Sequence, residues 1–407
     1  MSRNRAFSGE ARLLRRVRLC MGLDKARGRK TVALHLCSAG QAQFYLPVFE
    51  ELRRRPWPLG LYLALDYPMP EVARAFGIPV HRCFPAVLAR RMSGLNLFIE
   101  SEIYGRGPAQ AVKVFAGHGQ PNKFTNWSEE NLRAFDVYFL YGQLEREMFE
   151  VIRQAQPEST GHIRLMDIGY PKLDAQMRGD YDRGEVLRGL GLDPALKTVI
   201  YAPAWDPGCS LRTRGLEIVR ALLSLPGVNV IVKLHPVSLE PQGSPYFEFY
   251  TGGTVWENEF AVFKDNPRFA FAGQRVVNPL LVASDALLTD FSGVALEFML
   301  LDRPVLYMDC PEFYEKTQKE WGNDADMAKH DDRFNAGRNY GVSVSGVAEL
   351  PGAVRHALAH PEELSGRRRG FISRFLYNPG RGARVFVDAV GELLGLDAAE
   401  RSPAGEG

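Results

Sequence analysis

A chain of 407 residues, 45% hydrophobic and 24% charged, holds enough apolar material for two cores of ordinary size. No apolar run nears the roughly 18 residues that span a bilayer, and the first thirty residues are basic with no hydrophobic signal region, which argues against a membrane-spanning or secretory reading. The net charge of +2 is unevenly spread: residues 1–30 carry ten Lys or Arg against Glu10 and Asp24. This excess does not extend into the body of the chain, so no nucleic-acid partner is expected. Cys20, Cys37, Cys83, Cys209 and Cys310 are scattered without a CxxC pair, which suits a reducing cytoplasm better than a disulfide framework or a zinc site.

In chain order, residues 1–30 form a basic segment. Within it Leu13, Leu14, Val17 and Met21 share one helical face and Arg12, Arg15, Arg16 and Arg18 take much of the rest. A short helix of this kind can lie on an anionic membrane surface, here the inner face of the cytoplasmic membrane; the alternative is a solvated, frayed N-terminus. Thr31–Leu36 reads as a strand, followed by a helix to Arg55; Leu59–Leu65, Val112–Phe115 and Asp136–Leu140 read as further strands, with a helix from Gly142 to about Gln154. Gly169–Pro194, rich in Gly, Asp and Pro, reads as a linker, after which strands recur at Thr198–Ala202, Val228–Lys233, Ala286–Thr289 and Pro304–Met308. Trp321–Tyr340 reads as a polar surface excursion, and a last helix runs from about Ala383 to Leu394, with the final dozen residues disordered. Alternating strands and helices indicate parallel sheets covered on both faces. The expected architecture is α/β: a first Rossmann-like, doubly wound domain over 31–180, a second over 181–382, and a C-terminal helix and tail over 383–407. Such domains bind ligands at the carboxyl ends of their strands, here in a cleft that the two domains would face.

The most informative stretch is Ser284–Met308. An apolar strand enters the turn Thr289-Asp290-Phe291-Ser292-Gly293, and a helix-like run from Val294 to Leu301 follows at once. Strand, polar turn and helix point free backbone N–H groups at an anion, and a glycine lets a phosphate come close to the backbone. His118 follows a strand of the first half between Gly117 and Gly119, and His235 follows a strand of the second half. Asp324-Ala325-Asp326 matches the metal-binding Asp-x-Asp of glycosyltransferase-A enzymes, but no strand leads into it, so no metal is expected. A serine hydrolase is unsupported, for the chain has no G-x-S-x-G elbow.

Five segments, in order, resemble the CDP-glycerol glycerophosphotransferases, the teichoic-acid primases and polymerases of bacterial cell walls. They are Gly117-His118-Gly119-Gln120-Pro121, Gly169-Tyr170-Pro171-Lys172-Leu173-Asp174, Tyr201-Ala202-Pro203-Ala204-Trp205, Lys233-Leu234-His235-Pro236, and Thr289–Gly293 with Leu301-Asp302-Arg303-Pro304 behind it. The resemblance implies a glycosyltransferase-B fold and transfer of glycerol phosphate, or a related alditol phosphate, from a CDP-linked donor to a hydroxyl of a lipid-linked or polymeric cell-surface glycan, with release of CMP and no cofactor. It implies a cytoplasmic enzyme peripheral to the membrane. On the same ground His118 is the expected base and His235 a second catalytic histidine, with Thr289, Asp290, Ser292, Gly293 and Glu297 binding the donor. A neutral imidazole can take the proton of an attacking hydroxyl, and N–H and O–H donors at the turn would hold the diphosphate. The chain departs from the family pattern at Gln120, Gly293 and Asp206, and Asp206 would repel a phosphate if it faced the site. The rival expectations are a nucleotide-sugar glycosyltransferase or UDP-sugar 2-epimerase of the same fold, and a non-catalytic nucleotide- or glycan-binding assembly partner.

Overall fold

The computed structural model describes residues 10–119, 132–273, 276–318, 330–332 and 335–396. Residues 1–9, Gln120-Pro121, Asp324-Ala325-Asp326 and the tail beyond residue 396 lie outside them, along with the readings made of those positions. The chain divides into two compact units. One runs to Asp174 and resumes at Leu376; the other spans Ala175–Phe375.

The first unit is built on β1 (Lys30–Leu36), β2 (Leu59–Leu65), β3 (Cys83–Pro85), β4 (Leu97–Glu100), β5 (Val112–Phe115), β6 (Val137–Leu140) and β7 (Arg164–Asp167). All pair in parallel, in the order β3-β2-β1-β4-β5-β6-β7. From Thr31 to Leu36 every residue of β1 is buried, as a central parallel strand covered on both faces requires. Strands β3, β4 and β7 were not read from the sequence. They are three or four residues long and end in Pro85, Glu100 and Asp167, residue types depleted in strands.

Helix α1 (Glu10–Ala26) turns Val17 and Met21, with Leu13 and Leu14, onto a cluster that includes Ala33, Tyr62 and Phe84. Its Asp24 is fully buried and accepts bonds from the Tyr62 hydroxyl at 2.6 Å and from Arg82 at 2.6 and 3.1 Å. The apolar face expected to meet lipid is therefore part of the protein core. Its burial there gains about 25 cal/mol per Å², so it stays docked.

The Gly169–Asp174 motif has a structural task within this unit. Asp174 accepts the Gly382 and Ala383 N–H groups, each at 2.8 Å, and so caps the C-terminal helix Gly382–Leu394. That helix sends Phe386, Val387, Val390 and Leu394 into the same core as Val48, Phe49 and Leu52 of α2 (Ala42–Arg54). Gly169 sits at φ 91, where a Cβ would lie 2.2 Å from the Tyr377 carbonyl oxygen, so no other residue fits.

Glu145, fully enclosed in the helix Gln143–Ala155, accepts from the Tyr141 N–H at 2.6 Å and the Tyr138 hydroxyl at 3.1 Å. Burial pushes its carboxyl up to about 8 against the pull of those two bonds. The unfolded chain releases this proton near the ordinary glutamate value of about 4.3. Between those limits the folded state binds more protons, so this contribution to stability is full below about 4.3 and is lost as pH rises through about 8. Buried Glu100, pushed up to about 7, acts with the same sign. Denaturant titrations at pH 5 and pH 8 are expected to show lower stability at pH 8, and Glu145→Gln is expected to narrow the difference.

The second unit carries β8 (Lys197–Tyr201), β9 (Val228–Val232), β10 (Phe269–Phe271), β11 (Ala286–Thr289), β12 (Val305–Met308) and β13 (Val342–Val344), all parallel, in the order β10-β9-β8-β11-β12-β13. Renumbered from β8, this is 3-2-1-4-5-6, the dinucleotide-fold order, with its switch point between β8 and β11. The first unit repeats that order with one strand added, its switch falling between β1 and β4. The stretch read as an open linker is largely ordered: it holds the helix Arg183–Gly189, whose N-cap Asp182 accepts from Glu185 N–H at 2.7 Å.

Candidate active site

In the second unit the two loops at the switch point are tied together by one carboxylate. Asp290 Oδ1 accepts the N–H groups of Ala204 at 2.7 Å and Phe291 at 2.6 Å. Its Oδ2 accepts the Ser210 N–H at 2.9 Å and the Ser210 hydroxyl at 2.6 Å. Burial pushes its carboxyl above the ordinary range, against the pull of these four bonds. The Thr289 hydroxyl donates to the Ala202 carbonyl at 2.7 Å and is wholly buried. Both side chains are turned inward, so the structure gives them the work of shaping the Tyr201–Trp205 loop rather than touching a donor.

Within the turn Ser292 and Gly293 are half-buried. Ser292 Oγ lies 3.5 Å from the Val294 N–H, a weak local bond that a ligand oxygen can replace. Gly293 has φ −58, an ordinary helical value, so its contribution is the missing side chain and not an unusual backbone. The helix that follows, Val294–Met299, is only six residues long, shorter than the sequence suggested. Glu297 is buried in it, with its carboxylate 3.4 Å from Asn278 Nδ2 and its carbonyl accepting from Gln176 at 2.8 Å. Asp206 is fully buried too, within the loop that precedes Ser210.

His235 is exposed at the N-cap of the turn Pro236–Leu239, just beyond β9. Its Nδ1 accepts the Val237 N–H at 3.4 Å, which places the ring proton on Nε2. Lys233, two residues earlier, is buried and donates to the Leu234 carbonyl at 2.6 Å.

In the first unit His118 follows β5 in the loop opened by Gly117, which has φ 65. A Cβ on Gly117 would stand 3.0 Å from the Tyr141 hydroxyl. That hydroxyl donates to the Ala116 carbonyl at 2.5 Å, and the Tyr45 hydroxyl donates to the Gly117 carbonyl. Two buried tyrosines thus fix the backbone that leads into the histidine. His118 Nδ1 lies 2.9 Å from the Ser101 carbonyl and 3.2 Å from Glu102 Oε1. A third neighbour, Gln41 Nε2, lies farther off at 3.3 Å and makes its shorter bond, 2.8 Å, to Glu102. The nearest partner, a backbone carbonyl, can only accept, so the arrangement favours the proton on Nδ1 and the lone pair on Nε2. These contacts favour opposite tautomers, with Nε2 of His118 free to accept a proton and Nε2 of His235 placed to donate a hydrogen bond.

The sequence reading missed Gln41, Ser101 and Glu102. They follow β1 and β4 and meet His118 only through the sheet order. Gln41 Oε1 accepts from the Cys37 N–H at 2.8 Å and the Ser101 hydroxyl at 2.9 Å, which leaves its amide nitrogen to donate to Glu102 at 2.8 Å. Beside this network His35, Cys37 and Asp66 bring one ligand atom each within 4.8 Å of one another, a spacing that could hold a metal ion. Arg106, however, bonds Asp66 and lies 3.3 Å from His35 Nε2, so a guanidinium already stands at the cation's place. Burial and the neighbouring carboxylates also push the Cys37 thiol up, which keeps it protonated. The trio is a neutralised floor at the switch point, not a competent metal centre.

The fold is α/β, two doubly wound parallel sheets of the glycosyltransferase-B kind. Residues 129–325 match the model of the CDP-Glycerol:Poly(glycerophosphate) glycerophosphotransferase family. The match takes in four of the five motif segments, with Gly117–Pro121 lying before it, and the activity class it supports is glycerol-phosphate transfer from a CDP-linked donor. Among solved structures the chain is similar to the wall teichoic acid polymerase TagF, at TM-score 0.62 and 14% identity over 98% of this chain and 99% of that one. An H444N variant of TagF soaked with CDPG matches at TM-score 0.59 and 14% identity, over 97% and 98%. A UDP-N-acetylglucosamine 2-epimerase matches at TM-score 0.54 and 14% identity, over 93% and 99%. At such identities these structures speak for the fold. No curated protein sequence matches the chain.

Proposed function

We propose that the chain moves glycerol phosphate from CDP-glycerol to a hydroxyl of a lipid-linked or polymeric cell-surface glycan. His118 Nε2 takes the acceptor proton, the new P–O bond forms, and CMP leaves. His235 Nε2–H bonds a phosphoryl oxygen, while Ser292 and the turn beside Gly293 hold the diphosphate. Thr289 and Asp290 set the shape of that turn, and Glu297 is its buried support. The observation that carries the reading is the contact of His118 Nδ1 with the Ser101 carbonyl and Glu102, since a loop histidine held through Nδ1 and half-exposed on its other side is what a general base needs. No metal or cofactor enters this scheme.

Calorimetric titration of CDP-glycerol, CDP-ribitol, CMP, UMP and UDP-GlcNAc into the protein with EDTA present tests it. Cytidine-selective binding, weakened about tenfold or more by Ser292→Ala (roughly one hydrogen bond to a charged group), is expected. Preference for UDP-GlcNAc would favour the epimerase or glycosyltransferase reading.

A lipid-linked acceptor places this work at the cytoplasmic face of the membrane. Among the described residues no helix is long and apolar enough to cross a membrane. With the inner face of α1 docked, the surface left for lipid is its opposite stripe, Arg12, Arg16, Leu19 and Leu23, where the two leucines are 64% and 46% exposed. Cosedimentation with anionic but not neutral vesicles, lost on Leu19→Glu, would support that attachment.

A further inference from the structure

We propose that Glu102 is the positioning residue of the His118 base: its carboxylate fixes the Nδ1–H tautomer and balances the imidazolium formed when Nε2 takes the acceptor proton. The inference rests on the reading of His118 as base. It adds a residue that no motif contains.

Glu102 follows β4, and His118 follows β5. The parallel pairing of these strands, with Glu100 opposite Phe115, brings the two loops side by side. Glu102 Oε1 receives two donors, His118 Nδ1 at 3.2 Å and Gln41 Nε2 at 2.8 Å. Gln41 cannot turn its amide around, because its oxygen is held by the Cys37 N–H and the Ser101 hydroxyl. The order is therefore fixed: Gln41 holds Glu102, and Glu102 with the Ser101 carbonyl holds the ring. Phe44 packs edge-on to the ring at 5.7 Å and limits its rotation.

The proton balance follows. The acceptor O–H gives its proton to Nε2 as oxygen bonds phosphorus and the bond from phosphorus to the CMP oxygen breaks. The ring then carries N–H on both nitrogens and a positive charge, which faces the Glu102 carboxylate at Nδ1. The proton later leaves Nε2 to solvent. Among the described residues the other charges nearby are committed elsewhere. Asp66 pairs with Arg106, and the Lys172 ammonium lies 5.0 Å from the Phe44 ring centroid. Cys37, whose N–H holds Gln41, is an uncharged thiol.

Full-length protein labelled with ¹⁵N-histidine is titrated by NMR, with His118 assigned by its loss in His118→Ala. The neutral His118 ring is expected to carry its proton on Nδ1. In Glu102→Gln, which removes the charge and keeps the shape, ring protonation is expected to shift to lower pH, and the acidic limb of kcat/KM to move with it. That variant is also expected to lose about tenfold or more in kcat with KM for CDP-glycerol unchanged, whereas Glu102→Asp, which keeps the charge, restores most of the loss. A merely structural role would not produce that split. A neutral ring protonated on Nε2, or a His118 titration identical in Glu102→Gln and the unaltered protein, would overturn the proposal. The NMR arm needs no turnover, so it still decides the pairing if the protein fails to transfer glycerol phosphate.

Discussion

His118→Ala is expected to lower kcat for glycerol-phosphate transfer by two to four orders of magnitude, roughly the range for removing a positioned general base, and to leave the affinity for CDP-glycerol within about twofold. The two parts of this expectation have separate physical origins. At neutral pH an acceptor hydroxyl is a poor nucleophile, and no other described side chain shown here offers a ring nitrogen with a lone pair in a loop so firmly held from behind by Tyr45 and Tyr141. The donor diphosphate, in contrast, is assigned to the turn around Ser292 in the other unit, which the substitution does not touch. Single-turnover rates together with calorimetry on the same preparation make the measurement. A kcat within twofold of the unaltered protein would remove His118 from the chemistry and favour the non-catalytic reading.

Asp290→Ala is expected to destabilise the second unit by about 3 kcal/mol or more, because three backbone N–H groups and one hydroxyl lose their buried acceptor together. Some relief comes from water entering the space, so the loss is smaller than four separate penalties. Thr289→Val, which removes one donor and leaves the Ala202 carbonyl short of a partner, is expected to cost only about 1 kcal/mol. Denaturant midpoints measure both. Ser292→Ala should leave the midpoint nearly unchanged while weakening donor binding. Stability and binding thus separate neighbouring residues of one turn. If Asp290→Ala were as stable as the parent but bound donor poorly, Asp290 would be a ligand after all and the inward role would be wrong.

The sequence carried the periodic features well. The apolar runs Thr31–Leu36, Leu59–Leu65, Val228–Lys233 and Ala286–Thr289 are strands within a residue at either end, since a buried parallel strand must be apolar on both faces. Features that depend on distant partners did not show. Strand β7 alternates weakly, with both ends exposed, and leaves no pattern to read. The basic N-terminal helix had the amphipathic form of a lipid-binding segment, and nothing local distinguishes a face that meets lipid from one that docks on Ala33 and Phe84. The Gly169–Asp174 motif was legible as a motif, yet its function as a clamp on Gly382 and Ala383 spans more than two hundred residues.

The sequence by itself determined the α/β class, the chain positions of the two histidines and the turn, and the activity class that five ordered motifs imply. Those are properties of local pattern: which residue types recur, and what lies just after a strand. The tertiary structure decided which atoms face whom. It turned Thr289 and Asp290 inward, placed Arg106 among His35, Cys37 and Asp66, and set Glu102 and Gln41 behind His118. Each of these outcomes depends on strands adjacent in the sheet but separated along the chain, and a hydrogen bond is directional at the scale of tenths of an ångström. Residue order fixes which loops leave a given sheet edge, while strand register and packing fix which side chains meet there.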